Sequence, residues 1–318
     1  MEGVIDCDLG ARGFSAKTGY FLACVSKCAY EESGDWIERL GLRNKITSFT
    51  CGHFHAFVAL LDKGTVLAFR GTQNIGNCLT DADSLLVSQP PYPGRVHCGF
   101  ATAVDKVWPQ VRGLLGRPSR TRPLWLTGHS LGAAMATLAS VRLTHEGYKV
   151  RAVYTYGSPR AGDRLFRDSY CLANYRFVNN NDLVPHLPFR WCYKHAGKLR
   201  LVDHEGELSE EQAVWKAKKR SLADKAKQVQ RAHCHTSGLL HAFCDFDWLV
   251  DHHLDKYLDA IRKILPQMPH WASPAVPAAH TGHSSRPTIA ISEADFVAAF
   301  RNQPRGLPRD FGSRRDAA

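Results

Sequence analysis

The stretch "TGHSLGAA" (127–134) places Ser130 between Gly128 and Gly132, two positions away on either side. Apolar "PLWLT" (123–127) precedes the serine, and the small-residue run "LGAAMATLASVRL" (131–143) follows it. The first reads as a strand, the second as a helix able to lie close against a sheet. A strand that turns abruptly into a helix crowds its corner residue, and glycines at those two positions relieve the clash. The order strand, turn, helix makes Ser130 a candidate nucleophile raised at a sharp corner. Taken alone, the same residues also describe a tight packing turn, so the rest of the chain has to decide.

Working outward, "RAVYTY" (151–156) and "YRFV" (175–178) read as further strands, with a helix near "AGDRLFRDSY" (161–170). Upstream, the first 47 residues look mainly helical, and "ITSFTCGHFHAFVALL" (46–61) and "TVLAFRG" (65–71) read as strands about a tight turn. His53 and His55 fall on one strand face in this reading, as packed or surface residues. The segment through "SQPPYPG" (88–94) reads as loop, and "FATAVDKVWPQVRGLL" (100–115) as a helix that Pro109 kinks or bounds. This alternation predicts an α/β fold with a mostly parallel central sheet covered by helices, ligand chemistry being gathered in loops at one end of the sheet. One domain is expected over 1–264. Residues 265–318, rich in Pro, Ser, Ala and Gly with one short possible helix at 292–303, read as a tail or small attachment.

Composition narrows the function. At 318 residues and 44% hydrophobic content the chain can bury a sizeable core. It has no apolar run near the roughly 20 residues that span a bilayer. The start, "MEGVIDCDLG", lacks the basic region and apolar core of a secretory signal. A cytoplasmic location is the default expectation, with unconventional export or earlier removal of a signal as alternatives. Ten cysteines form no dense framework and read as reduced thiols, with Cys24 and Cys28 spaced for one packed helix face. His233, Cys234, His235, His241 and Cys244 cluster in "RAHCHTSGLLHAFC" (231–244), but not at the spacing of a common zinc module. No metal and no cofactor are expected. The net charge of +11 is spread along the chain, densest in "VWKAKKRSLADKAKQVQR" (214–231). That run reads as a solvated helix face or as a surface attracted to anionic lipid. Without a recognition module or interleaved aromatics, nucleic acid is excluded as a partner.

A nucleophilic serine needs a base, and the base needs an acceptor that fixes its tautomer. His129, at the corner itself, reads as a neighbour that packs or orients the turn. Asp182 in "YRFVNNNDLVPHLP" (175–188) follows a short strand and is the candidate acid; His186 lies too near it in the chain to be the base. "FDWLVDHHLDKYLDAI" (246–261) supplies His252 at a helix entrance, with His253 as its competitor and Tyr257 helping to fix the helix. The order Ser130, Asp182, His252 is that of an α/β-hydrolase triad. For a developing oxyanion, the backbone N–H of Leu131 is set by the turn, and "GTQN" (71–74) brings that of Thr72 from the other side.

Six blocks in order, "AFRGT", "VHCGF", "LTGHSLGAA", "TYGSPRAGD", "RFVNNNDLVPHLP" and "DHHLDKY", give the chain over residues 17–262 a resemblance to the class 3 lipase family, the fungal-type triacylglycerol lipase branch of the α/β hydrolases. The resemblance implies Ser130 as nucleophile, Asp182 as acid, His252 as base, and Thr72 with Leu131 as oxyanion hole, without a cofactor. It also implies a lipid ester substrate: triacylglycerol first, with monoacylglycerol, phospholipid or general carboxylic esters as alternatives and a silent lipid-binding scaffold as the reading from a different class. Peripheral contact with a lipid interface is expected, with no transmembrane segment. Three features depart from the family: Cys78 where an aromatic residue is common, the long insert at 205–231, and the missing signal. "NIGNCLTDADSLLVSQPPYPG" (74–94) is a candidate cover over the entrance, and the insert is expected to form a helix with a basic surface towards anionic lipid.

Overall fold

The computed structural model describes residues 7–11, 13–30, 35–71, 85–119, 121–179, 182–188, 190–202, 208–210 and 252–265. All of them fall within one compact unit, Met1–Pro274. The metal-ligand cluster, most of the candidate cover, the C-terminal tail beyond 265 and the basic insert lie outside the described residues, save that 208–209 at the start of the insert form a short strand rather than the expected helix.

Ser15 caps the first helix, α1 (Ala16–Cys28), by accepting a hydrogen bond from the Thr18 N–H at 3.2 Å. Cys24 and Cys28 are buried in its core-facing side. A short α2 (Asp35–Arg39) leads to β1 (Ile46–Cys51), β2 (Phe54–Leu61) and β3 (Gly64–Phe69). The single run expected over 46–61 is therefore two antiparallel strands. Gly52, at φ +59°, makes the turn that splits them. His53 falls in that turn and His55 on β2, where its Nδ1 meets Thr50 Oγ1 at 3.0 Å, so the two histidines do not share a strand face.

Next come β4 (Leu86–Ser88) and β5 (Arg95–His97), a small antiparallel pair that flanks the stretch 88–94 read as loop. Helix α3 (Cys98–Leu115) runs through Pro109, which is neither its start nor its end. The remaining order is β6 (Leu124–His129), α4 (Leu131–His145), β7 (Val150–Tyr156), α5 (Arg164–Asp168), β8 (Asn174–Asn179), β9 (Lys198–Val202), β10 (Leu208–Ser209) and α6 (Leu254–Ile264).

Eight strands form one sheet in the order β1-β2-β3-β6-β7-β8-β9-β10. The five strands from β3 to β9 are parallel, and the pairs at either end are antiparallel. Alternation along the strands sorts side chains onto two faces. Val66, Ala68, Trp125, Tyr154, Tyr156 and Phe177 pack under α1 and α6. Leu67, Phe69, Leu126 and Val153 pack under α3 and α4. Helix α4 is buried along Leu131–Ser140, and its glycine and alanines let it settle directly onto the sheet. All parallel strands then end at one rim, where the candidate residues gather.

Candidate active site

At the end of β6 the chain turns through Ser130, a non-glycine residue at φ +60°, ψ −127°. Such a conformation is strained and persists only when its surroundings enforce it. Two features do so. The Ser130 N–H donates to the Tyr156 carbonyl at 3.0 Å, pinning the corner to β7. The glycines allow the close approach: a Cβ on Gly132 would strike the Phe69 carbonyl of β3, and one on Gly128 would come within 2.9 Å of the Ala133 nitrogen. Ser130 Oγ is buried and has no hydrogen-bond partner among the described residues. Leu131, as the first residue of α4, has a backbone N–H with no acceptor inside its helix. Thr72 lies outside the described residues, which end at Gly71 on that side.

Asp182 is fully buried in the loop after β8. Its N–H donates to the Asn179 carbonyl at 2.9 Å, and its Oδ1 accepts from the Val184 N–H at 2.8 Å. Oδ2 accepts twice, from His252 Nδ1 at 2.8 Å and from the Tyr257 hydroxyl at 2.5 Å. Donation from Nδ1–H fixes the tautomer and leaves the His252 Nε2 lone pair free. That nitrogen is buried and has no partner among the described residues. His253, the N-cap residue of α6, is exposed. Asp182 and His252, seventy positions apart, thus meet, while His253 stays outside.

Three residues of this arrangement escaped the sequence reading. Tyr257 was placed as a helix anchor, but its hydroxyl bonds the acid itself. Gly157, at φ +59°, lies against the pair, and a Cβ there would sit 2.8 Å from Asp182 Oδ2 and 2.9 Å from His252 Nδ1. The phrase "YGSP" just past a strand was the available signal. Tyr30, at the end of α1, carried no signal at all. Its hydroxyl accepts from the Gly71 N–H at 3.0 Å and donates to His129 Nδ1 at 2.9 Å; His129 Nε2–H then donates to the His252 carbonyl at 2.6 Å. One neutral imidazole therefore ties together the segment ahead of Thr72, the corner before Ser130 and the backbone of His252. Burial holds its pKa well below the usual 6.5, and nearby His252 lowers it further. The rings of His129 and His252 stand 4.6 Å apart. The orienting role expected of His129 thus extends to three chain segments.

A buried serine oxygen on a strained corner and a carboxylate-held imidazole with a free Nε2, at the C-terminal rim of a parallel sheet, define an α/β hydrolase. Residues 66–191 match the family Lipase (class 3). The matched stretch contains Ser130 and Asp182 but ends before His252.

Among curated proteins, the chain is 34% identical over 149 residues to a lipase of Rhizomucor miehei, covering 43% of this chain and 41% of that protein. It is 32% identical over 149 residues to the secreted mono- and diacylglycerol lipase 1 of Fusarium solani, covering 44% of each. The solved structure of the Rhizomucor miehei triacylglyceride lipase superimposes with a TM-score of 0.51 at 27% identity, over 58% of this chain and 79% of that one. The chain thus spans less than half the length of these two curated relatives. The cytoplasmic default gains no support from them, since the Fusarium solani protein is named as secreted. No helix among the described residues is long and apolar enough to cross a membrane.

Proposed function

We propose that the chain hydrolyses carboxylic esters of acylglycerols through an acyl-serine intermediate, with Ser130 as nucleophile, His252 as base and Asp182 as the acid that orients it. The observation that carries the reading is the buried Asp182–His252 hydrogen bond of 2.8 Å at the rim where Ser130 is raised, with Ser130 Oγ and His252 Nε2 both left unpaired. His252 Nε2 takes the Ser130 proton as Oγ attacks the ester carbonyl. The tetrahedral oxyanion receives the Leu131 N–H, joined by Thr72. The imidazolium, steadied by Asp182, gives its proton to the departing alkoxide. Water then repeats the sequence on the acyl-enzyme, releasing the acid and restoring Ser130.

Triacylglycerol is the first substrate, with di- and monoacylglycerols next, in keeping with the names of the relatives. The hydrolase domain covers 1–264 and 265–318 is an attachment. Work at a lipid surface suits Leu165 and Trp191, 59% and 81% exposed, on segments that follow the C-terminal ends of β7 and β8. A fluorophosphonate ester should label the folded protein at Ser130, and Ser130→Ala should lose labelling together with turnover of emulsified triacylglycerol by about 10³-fold or more. Wild-type protein that neither labels nor cleaves any acylglycerol at a lipid surface would leave the silent scaffold as the better reading.

A further inference from the structure

Arg176, on β8, takes no part in the chemistry above and has no ion-pair partner among the described residues. It is 8% exposed, and its Nε and Nη1 are buried with no hydrogen-bond partner among the described residues. The parallel register sets Leu199 of β9 beside it, and Val178, two positions along the same face, is also apolar. The charges that act on this region are of its own sign. Arg160 lies near enough to lower the Arg176 pKa, and Arg190 does the same to Arg160.

Arg160 is itself 4% exposed, and its Nη1 donates to the carbonyls of His186 and of Pro188, the latter at 2.6 Å. Those carbonyls satisfy donors but bring no net charge. His195 donates from Nε2 to the Pro185 carbonyl at 2.7 Å and stays neutral, because burial and both guanidiniums disfavour its protonation. Arg160 and His195 thus clasp one turn, 185–188, from two residues.

Burial, reinforced by Arg160, brings Arg176 down only to about 9, so it remains a cation at neutral pH. A cation withdrawn from water without a countercharge is strongly destabilising. Buried guanidinium N–H groups that lack a partner form a natural anion receptor. An apolar wall on one side favours a monovalent, single-atom anion, since a polyvalent oxyanion would lose far more hydration on entry.

We propose that Arg176, with Arg160 beside it, forms a buried receptor for a halide-sized anion. Bound there, the anion offsets the repulsion between the two arginines and steadies Arg160 on the 186–188 carbonyls. That turn continues directly from Asp182, so occupancy reaches the acid loop. This last consequence rests on the hydrolase reading; the binding site itself does not.

The test compares sodium chloride and sodium bromide with sodium gluconate, an anion too large to enter, at fixed ionic strength and protein concentration. The thermal midpoint of the wild type should rise by a few degrees with chloride and saturate. Ser130→Ala should show the same rise, and Arg176→Met none. Bromide-soaked crystals of the wild type should give an anomalous peak at the Arg176 guanidinium, a readout that does not depend on how well the variant folds. Equal midpoints in chloride and gluconate would overturn the site, as would a chloride response retained by Arg176→Met or bromide found only elsewhere. Turnover of a soluble ester should rise about two- to fivefold across the same chloride range. A midpoint shift without any turnover in the wild type would sink the hydrolase reading and leave the anion site standing.

Discussion

Asp182 accepts from a backbone N–H, an imidazole and a phenol at once, and each donor fixes a different part of the rim. The position of Asp182 was legible because a lone aspartate just past a short strand has few other reasons to be there. Tyr257 was not, since an aromatic residue in an apolar helix pattern reads equally well as core, and only the fold turns its hydroxyl to Oδ2. A hydrogen bond to a charged group contributes about 1.5 kcal/mol or more, close to tenfold in rate if it acts in the transition state. Tyr257→Phe keeps the ring's packing against Tyr156 and His129 while removing that donor. Steady-state kinetics on a soluble ester should show kcat lowered about tenfold with KM little changed. A variant with wild-type kcat would reduce Tyr257 to a packing residue.

Among the elements, the central strands and α4 follow from their apolar runs, whereas β9 does not. "KLRLV" alternates basic with apolar residues, the period of a strand with one face in water, but is too short and too charged to stand out among the apolar runs. Arg200 is buried nonetheless, with its guanidinium 4.3 Å from the Phe14 ring centroid, 5.2 Å from that of Tyr175, and paired with Glu210 at 3.1 Å. Packing of this kind, between residues far apart in the chain, leaves no local signal. The same holds for the path from Gly71 through Tyr30 and His129 to His252, which joins α1, β3, β6 and α6. If these bonds act as one unit, their loss should not add. Tyr30→Phe and His129→Phe should each lower kcat about tenfold, and the double variant should be scarcely worse than either. Additive losses in such a cycle would show two independent packing contributions instead.

Among the described residues, burial holds His97, His129 and the half-buried His195 well below the usual histidine range. Burial lowers His97 from 6.5 to about 4. Below pH 6.5 the unfolded chain therefore binds more protons than the folded one, so stability falls as pH falls. His97 contributes about 1.4 kcal/mol of loss per pH unit until its folded value is reached. Its two ring nitrogens have no partner among the described residues, and it stacks on Phe100 at 3.9 Å. His97→Phe should keep the stack, raise stability and move the midpoint of acid unfolding, followed by circular dichroism, to lower pH. An unchanged acid midpoint would mean that the ring is hydrated or protonated in the folded state. The distance along the chain from His129 to His252, 123 positions, also orders events during synthesis. A nascent chain exposes its serine and its carboxylate long before the imidazole that would join them leaves the ribosome. On the proposed reading, hydrolytic power is withheld until the segment carrying His252 and α6 arrives, and a half-made chain cannot attack the esters of whatever lies beside it.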